Sequence, residues 1–536
     1  MIQKIIKNKL LTIIILLSFH FLYRFILLSL NAFPFNADEA IVGLMAKHIL
    51  QGENFLFFYG QSYMGSLDAY LVALGFLIFG EAVWVIRLVQ IVLYALTITF
   101  FYLYLIELWN DEKIALISSL FLVFPTVNVV LYTTVSLGGY GEAFLFGAIS
   151  LYLSGIITKG EFKKQKDFFL ISLMGFLFGF GLFTNPISLT MIVPAIIITI
   201  YVLTKKLKRL QFDQIGSILI VSFLIGSFPF WFALFSSNGF ATLHEITGSA
   251  VAVEKSSYFL NVFSHLINFL LFGITVILGL RPPWSVDSIG VFVLPIVLFF
   301  WLIVFYLNIK EKVLKHEKEK IFSLIGIFLF VLGGFLFTSF GVDPSGRYFL
   351  PIVFPLSALA GYTIVRNGNK FFLFLAVFVI LFQIYGTSIS AMKKPYITTQ
   401  FYEPAQIDQS KMPELSNFLM NENEFYGFSN YWVSYPLAFL SDEKIISIPE
   451  LPYHQDLRYT SRDNRIEEYN EKISNADRFF YITTKNRVLD NTLVSALEEK
   501  KINYEYKELG DFKIYYSLSK KFTPEELGIT NEFIKN

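Results

Sequence analysis

Two adjacent carboxylates, Asp38 and Glu39, follow directly on the first apolar run of this chain, in the stretch FNADEAIVGL (35–44). Charge is costly beside lipid, so acids kept next to a hydrophobic segment are candidates for chemistry. A carboxylate can draw a proton from a hydroxyl. Further ionisable residues stand at the ends of other apolar runs: Glu142 in SLGGYGEAF, Arg281 in GLRPPW, Arg347 in DPSGRYFLP, and His244 with Glu245 in LHEIT. The planar fork of an arginine can hold a phosphate bidentately. A plainer reading of the first pair also exists. Asp38 can cap the helix that follows, with Glu39 favouring the positive end of its dipole. The two readings are compatible, because a helix start is a good place to fix a catalytic carboxylate.

The elements that position these residues follow from composition. Of 536 residues, 55% are hydrophobic, 18% aromatic and only 16% charged, with a mean hydropathy of +0.57. A soluble domain needs far more charge to cover its surface, so this is a polytopic α-helical membrane protein. The net charge of +1 is uninformative as a total, because the distribution of charge carries the signal; no nucleic-acid partner is expected. The chain lacks cysteine, which excludes disulfides, thiolate metal sites and a cysteine nucleophile. The six histidines show no metal-ligand spacing.

A crossing helix needs about 20 apolar residues, and about 11 runs qualify. They lie near 9–30, 83–108, 114–131, 141–157, 168–184, 186–204, 215–236, 287–307, 321–340, 347–365 and 371–390. Lysine and arginine gather in alternate loops: Lys159 to Lys166, Lys205 to Arg209, Lys310 to Lys320, and Arg366 with Lys370. The positive-inside rule places these loops and the N-terminus in the cytoplasm. The expected location is the inner (cytoplasmic) cell membrane, with the segment 31–82, the loop 237–286 and the tail outside. A twelfth apolar stretch, 262–280, would invert the later loops, so it is expected to be re-entrant or interfacial. Arg24 and Arg87 fall in or near spans and are expected to snorkel to an interface, with a site role for Arg87 as the other reading. The glycines of GFLFGFG (175–181), mid-membrane, predict close helix packing.

Residues 37–52 have helical apolar spacing but are too short to cross, predicting a surface helix in the first outer loop; 58–80 predicts a Gly- and Tyr-rich turn and a second one. The transmembrane domain is read as 1–391. Beyond about 392, polar residues return and short β-rich runs alternate with helix-like stretches, predicting a small extracytoplasmic α/β domain over 392–536. Its Tyr431, Trp432 and Tyr435 are expected to pack its core, with sugar contact as the other reading.

The Asp-Glu pair, the block YGQSYMGSLDAYLVALGFLIFGEAVWVIRL (59–88), the GGYGE turn (138–142) and GRYFLP (346–351) together resemble bacterial C-type-fold glycosyltransferases. The pattern is similar to the family-39-like enzymes, akin to protein O-mannosyltransferases and the lipid A aminoarabinose transferase. The resemblance spans roughly 9–390. It implies a polyprenyl-phosphate sugar donor, transfer on the extracytoplasmic side and inversion at the anomeric carbon. It implies Asp38 as general base, Glu39 assisting it or orienting a loop or metal, and Arg347 neutralising the departing phosphate. Glu142, Tyr63, Arg281 and His244 are the further substrate-binding candidates. Some members bind a divalent metal, so a Mg or Mn ion held by carboxylates stays open. The acceptor is a lipid, glycan or protein; no insertion resembles the sugar-binding-like repeats of eukaryotic O-mannosyltransferases, which lends a protein no support. The missing D-x-D pair and the short cytoplasmic loops argue against a nucleotide-sugar donor. The rival functions are a flippase or transporter of lipid-linked sugars and a glycan polymerase or ligase. Gathering of ionisable residues at one face, without two related halves, favours interfacial chemistry over transport.

Overall fold

The computed structural model describes residues 8–236, 256–310 and 318–529. His244 and Glu245 therefore lie outside the described residues. Among those described, ten helices are long and apolar enough to cross a membrane: Lys9–Ser29, Val83–Trp109, Tyr140–Lys159, Lys164–Thr184, Pro186–Lys206, Arg209–Gly226, Tyr258–Ile277, Val291–Lys310, Arg347–Asn367 and Lys370–Met392. Lys318–Phe337 adds another helix of 20 residues.

The expected span 114–131 is not one helix. It breaks into Glu112–Val123 and Val127–Tyr132. Pro125 has no N–H to donate and disfavours helical geometry at Phe124, which ends the first piece. The second piece is held by a cation. Arg24, from Lys9–Ser29, is fully buried rather than snorkelling. It donates to the Val130 carbonyl at 2.8 Å and to the Thr134 and Thr133 hydroxyls at 2.7 Å each. A guanidinium at the carboxyl end of a helix meets its unsatisfied carbonyls and the negative end of its dipole.

The stretch expected to be re-entrant forms Tyr258–Ile277, which contains a π turn over Phe269–Gly273 and has the length of a span. Its partners lie at and beyond one end of Lys318–Phe337. His265 Nδ1 is 2.9 Å from the Leu336 carbonyl, and Asn268 donates to the Gly341 carbonyl at 3.0 Å.

Lys164–Thr184 and Arg209–Gly226 meet backbone to backbone, as the glycine spacing predicts. A Cβ on Gly179 would lie 2.1 Å from the Phe223 carbonyl oxygen, and one on Gly226 2.2 Å from that of Phe176. Without water to drive helices together in lipid, such close van der Waals contact supplies the association.

The segment between the first two spans folds into helix Ala37–Leu50, a hairpin of β1 (Phe57–Phe58) and β2 (Gln61–Gly65), and helix Leu67–Phe79. The tail is an α/β layer. Strands β3 (Tyr426–Phe428), β4 (Ile446–Ile448), β5 (Phe480–Thr484), β6 (Glu505–Leu509) and β7 (Phe512–Tyr516) form one sheet in the order β4-β3-β5-β7-β6. β3 pairs in parallel with β4 and β5, while β7 runs antiparallel to β5 and β6. Helix Tyr431–Leu440 connects β3 to β4.

Ala37–Leu50 does not lie on an open surface. The tail covers it, and one hydrophobic core joins Ile41, Val42, Leu44 and Met45 to Tyr431, Tyr435 and Phe439. Burying those four side chains contributes about 6–12 kcal/mol as an upper bound. Gly43 allows the approach, since a Cβ there would lie 2.6 Å from the Phe439 ring. Charges flank the contact: Lys47 Nζ meets Asp442 at 2.8 Å and Glu81 at 3.3 Å.

Replacing Gly179 with leucine is expected to force the two glycine-packed helices apart, which no rotamer change can absorb because the obstruction is backbone. In detergent the variant should lose the monodisperse folded peak, while Gly179→Ala should retain a weakened one.

Candidate active site

Asn36, Asp38 and Glu39 occupy the start of Ala37–Leu50 and do three different things. The cap is Asn36, whose side-chain oxygen accepts from the Glu39 N–H at 2.9 Å. Asp38 is thus released from the capping role that the sequence left open to it. Glu39 is fully buried and takes a bidentate contact from Arg87, Nε at 2.8 Å and Nη2 at 2.9 Å. Arg87 neither snorkels nor faces the site; its charge is spent on Glu39. Successive helical residues are about 100° apart, so fixing Glu39 inward turns Asp38 toward a cavity of about 390 Å³.

That cavity brings Asp38 and Arg347 together with Tyr63. Tyr132, Tyr140, Tyr348 and Trp432 add aromatic walls, and Ile187, Phe330, Val331 and Phe335 make an apolar side. Asp38 Oδ1 accepts from the Tyr431 hydroxyl at 2.5 Å, and Oδ2 has no hydrogen-bond partner among the described residues. Arg347 sits 2.7 Å from Asp343 through Nε, with its guanidinium 4.9 Å from the centre of the Tyr348 ring. Its Nη groups donate to no acceptor among the described residues, so they are available for an anion. Asp38 and Asp343 are the carboxylates lining the cavity. Asp343 is committed to Arg347, and among the described residues no three His, Asp or Glu side chains converge as a metal site.

Two expected site residues are elsewhere. Arg281 spends all five donors on protein: Nε on Thr275 Oγ1 at 3.1 Å, Nη1 on the Pro282 and Ser285 carbonyls at 3.0 Å, and Nη2 on those of Phe272 at 3.0 Å and Pro344 at 2.6 Å. None remains for a phosphate. Glu142 is buried with neither oxygen hydrogen-bonded to another residue, and does not line the cavity. Tyr140, two residues earlier and about 200° around the same helix, lines it instead.

Asp68 carried no expectation, although an aspartate in the apolar helix Leu67–Phe79 was visible in the sequence. It accepts from Gln90 at 2.8 Å, the Ser136 hydroxyl at 2.5 Å and the Gly139 N–H at 3.4 Å. Asn185 donates to the Gly138 carbonyl at 3.0 Å, so the glycine turn is gripped from both sides. Gly138 and Gly139 both have positive φ, 85° and 84°, which only glycine adopts without strain.

A second polar cluster docks the tail. His48 Nδ1 lies 2.7 Å from the Tyr59 hydroxyl, and Nε2 lies 3.1 Å from both oxygens of Glu443. Burial opposes the charged ring, but the hydrogen bond and charge of Glu443, aided by Glu53 and Glu468, hold the His48 pKa above its ordinary value. Burial likewise opposes the Glu443 carboxylate, yet His48 and Tyr469 hold its pKa below the ordinary value.

Residues 66–232 match the family model described as dolichyl-phosphate-mannose-protein mannosyltransferase, a stretch shorter than half of the chain. No curated protein sequence matches. Among solved structures, the chain is similar to ArnT from Cupriavidus metallidurans bound to undecaprenyl phosphate, with a TM-score of 0.57 and 12% identity over 94% of this chain and 98% of that one. For the same protein in the apo state the TM-score is 0.52 at 12% identity, over 89% and 93% of the two chains. The archaeal oligosaccharyltransferase AglB from Archaeoglobus fulgidus, in complex with an inhibitory peptide and a dolichol-phosphate, aligns with a TM-score of 0.45 and 13% identity over 94% and 74%. The chain shares the overall fold of ArnT.

Two outcomes follow from the ion pairs. Arg87→Ala or Glu39→Ala leaves a buried charge without its partner and is expected to cost about 3–5 kcal/mol, whereas the double change to leucine should recover most of it; thermal unfolding of the purified variants measures this. The His48–Glu443 contact has a pH window. The His48 contribution is complete below its ordinary value of 6.5 and is lost as pH rises through the raised folded value. The Glu443 contribution is present above 4.5 and is lost as pH falls through the lowered folded value. The unfolding midpoint should therefore be higher near pH 5.5 than at pH 8, and His48→Asn should flatten that difference.

Proposed function

We propose that this chain is a membrane glycosyltransferase that moves a sugar from a polyprenyl-phosphate donor to an acceptor hydroxyl on the extracytoplasmic face. The observation that carries the proposal is one cavity lined by Asp38 and Arg347 beside an apolar wall, in which Asp38 Oδ2 and the outer nitrogens of Arg347 have no hydrogen-bond partner among the described residues. An isoprenoid chain suits the wall of Ile187, Phe330, Val331 and Phe335, and its phosphate suits Arg347. The ArnT structure, which this chain matches in fold, holds undecaprenyl phosphate, the kind of lipid that such a transfer would release.

In the proposed reaction the acceptor oxygen attacks the anomeric carbon from the side opposite the phosphate. The carbon–oxygen bond to the phosphate breaks as the new glycosidic bond forms, giving inversion. Asp38 Oδ2 takes the proton of the attacking hydroxyl. Arg347 stabilises the charge that builds on the departing polyprenyl phosphate, at the point where electrostatic stabilisation is worth most. Tyr63 and the other aromatic walls offer faces on which the sugar can stack. The alternation of lysine-bearing loops along the sequence supports a cytoplasmic N-terminus and an inner-membrane location. The sugar, hexose or pentose, and the acceptor, whether lipid, glycan or protein, are left to the assay.

Membrane vesicles holding the protein, supplied with a panel of polyprenyl-phosphate sugars, test this through release of free polyprenyl phosphate. Asp38→Asn, equally folded, is expected to lower turnover by at least about 100-fold. Arg347→Gln is expected to lower kcat/KM by a similar factor. Undiminished release by Asp38→Asn would sink the general-base role. Transbilayer movement of labelled lipid without release by the parent would point to the transporter reading.

A further inference from the structure

The tail delivers a side chain to the proposed base. We infer that Tyr431 is a positioning residue for Asp38, so that the catalytic centre is completed by the C-terminal domain. The inference rests on the reading of Asp38 as general base.

The geometry begins at β3. Its parallel strands end at Phe428, and two residues later helix Tyr431–Leu440 starts, at the carboxyl edge of the sheet where α/β layers place their functional groups. Asn430 fixes that start from two directions. Its oxygen caps the helix by accepting from the Trp432 N–H at 3.0 Å, and its amide donates to Thr484 Oγ1 at 2.7 Å on β5. The first helical residue is then Tyr431. Its ring is buried between Trp432 and Tyr435, with ring centres at 4.9 and 5.4 Å, and its hydroxyl reaches Asp38 Oδ1.

A cation holds the opposite side. The Arg465 guanidinium lies 5.2 Å from the centre of the Tyr431 ring. Tyr435, one turn along the helix, holds that arginine's backbone: the Arg465 N–H donates to the Tyr435 hydroxyl at 2.7 Å, and that hydroxyl donates to the Asp463 carbonyl at 2.7 Å. Tyr431 is thus restrained by two edge-to-face ring contacts, by a cation over its ring and by a capped helix start.

A carboxylate free to rotate about its Cβ–Cγ bond presents either oxygen in many directions. With Oδ1 held by a rigid phenol, Oδ2 is left facing the cavity in one orientation, which is the preorganisation a proton acceptor needs. Trp432, the next residue, lines the same cavity. Two consecutive residues of the tail therefore serve the site, one through Asp38 and one as a wall.

The test uses the full chain in vesicles and measures kcat and KM for undecaprenyl-phosphate hexoses and pentoses, with unfolding midpoints recorded beside them. Tyr431→Phe keeps the ring and removes the hydroxyl; kcat should fall by about 10-fold or more with donor KM unchanged. Tyr481→Phe is the comparison, because it removes another tyrosine hydroxyl of the same domain, one bonded to the Phe522 carbonyl at 2.7 Å. It should lower the midpoint without lowering kcat. Parental kcat in Tyr431→Phe, or an equal fall in both variants, overturns the inference while leaving the proposed function standing. Undiminished turnover by Asp38→Asn, or no turnover by the parent on any donor, overturns both.

Discussion

The buried pair of Glu39 and Arg87 is the interaction on which the site depends. Two charges 2.8 Å apart in the protein interior lock one face of Ala37–Leu50 to the span Val83–Trp109. Each charge is compensated by the other's bidentate contact, which favours one rotational setting of the helix. That setting decides where Asp38 points. Of two neighbouring acids, one is used to hold the helix and the other is thereby presented to the cavity.

The remainder of the structure surrounds that helix. The spans lie on one side, and the tail closes over the other through Phe439 against Gly43, Lys47 with Asp442 and His48 with Glu443. The result is a short helix that is neither membrane-spanning nor exposed. Its burial on all sides gives Asp38 a rigid base, which a loop at a water interface would not provide. The broken helix at Pro125, gripped by Arg24, and the glycine turn gripped by Asp68 and Asn185 carry Tyr132 and Tyr140 to the same cavity.

Arg281 and Arg347 illustrate how two similar residues part. Both stand near the end of an apolar run, next to a proline- or glycine-containing turn. Arg281 is surrounded by carbonyls that its own loop cannot otherwise satisfy, and it becomes a structural cross-link. Arg347 is held by one carboxylate through Nε, which orients the fork and leaves its outer nitrogens free. The type of residue is the same; the number of nearby acceptors makes the difference.

Length, hydropathy and charge were legible in the sequence because they are local or additive. The membrane class, most of the long helices, the glycine packing of 164–184 on 209–226, and the α/β character of the tail all follow from composition and period. So did the candidacy of Asp38, Arg347 and Tyr63, which the structure brings to one cavity. The break at Pro125 was local too, but hydropathy counts apolar residues and does not register a missing N–H. What only the tertiary structure decided was pairing. That Glu39 meets Arg87, that Arg281 has no donor left, and that Tyr431 reaches Asp38 across 393 residues depend on distances between segments far apart in the chain. Those distances are set by packing of the whole, and no local pattern encodes them.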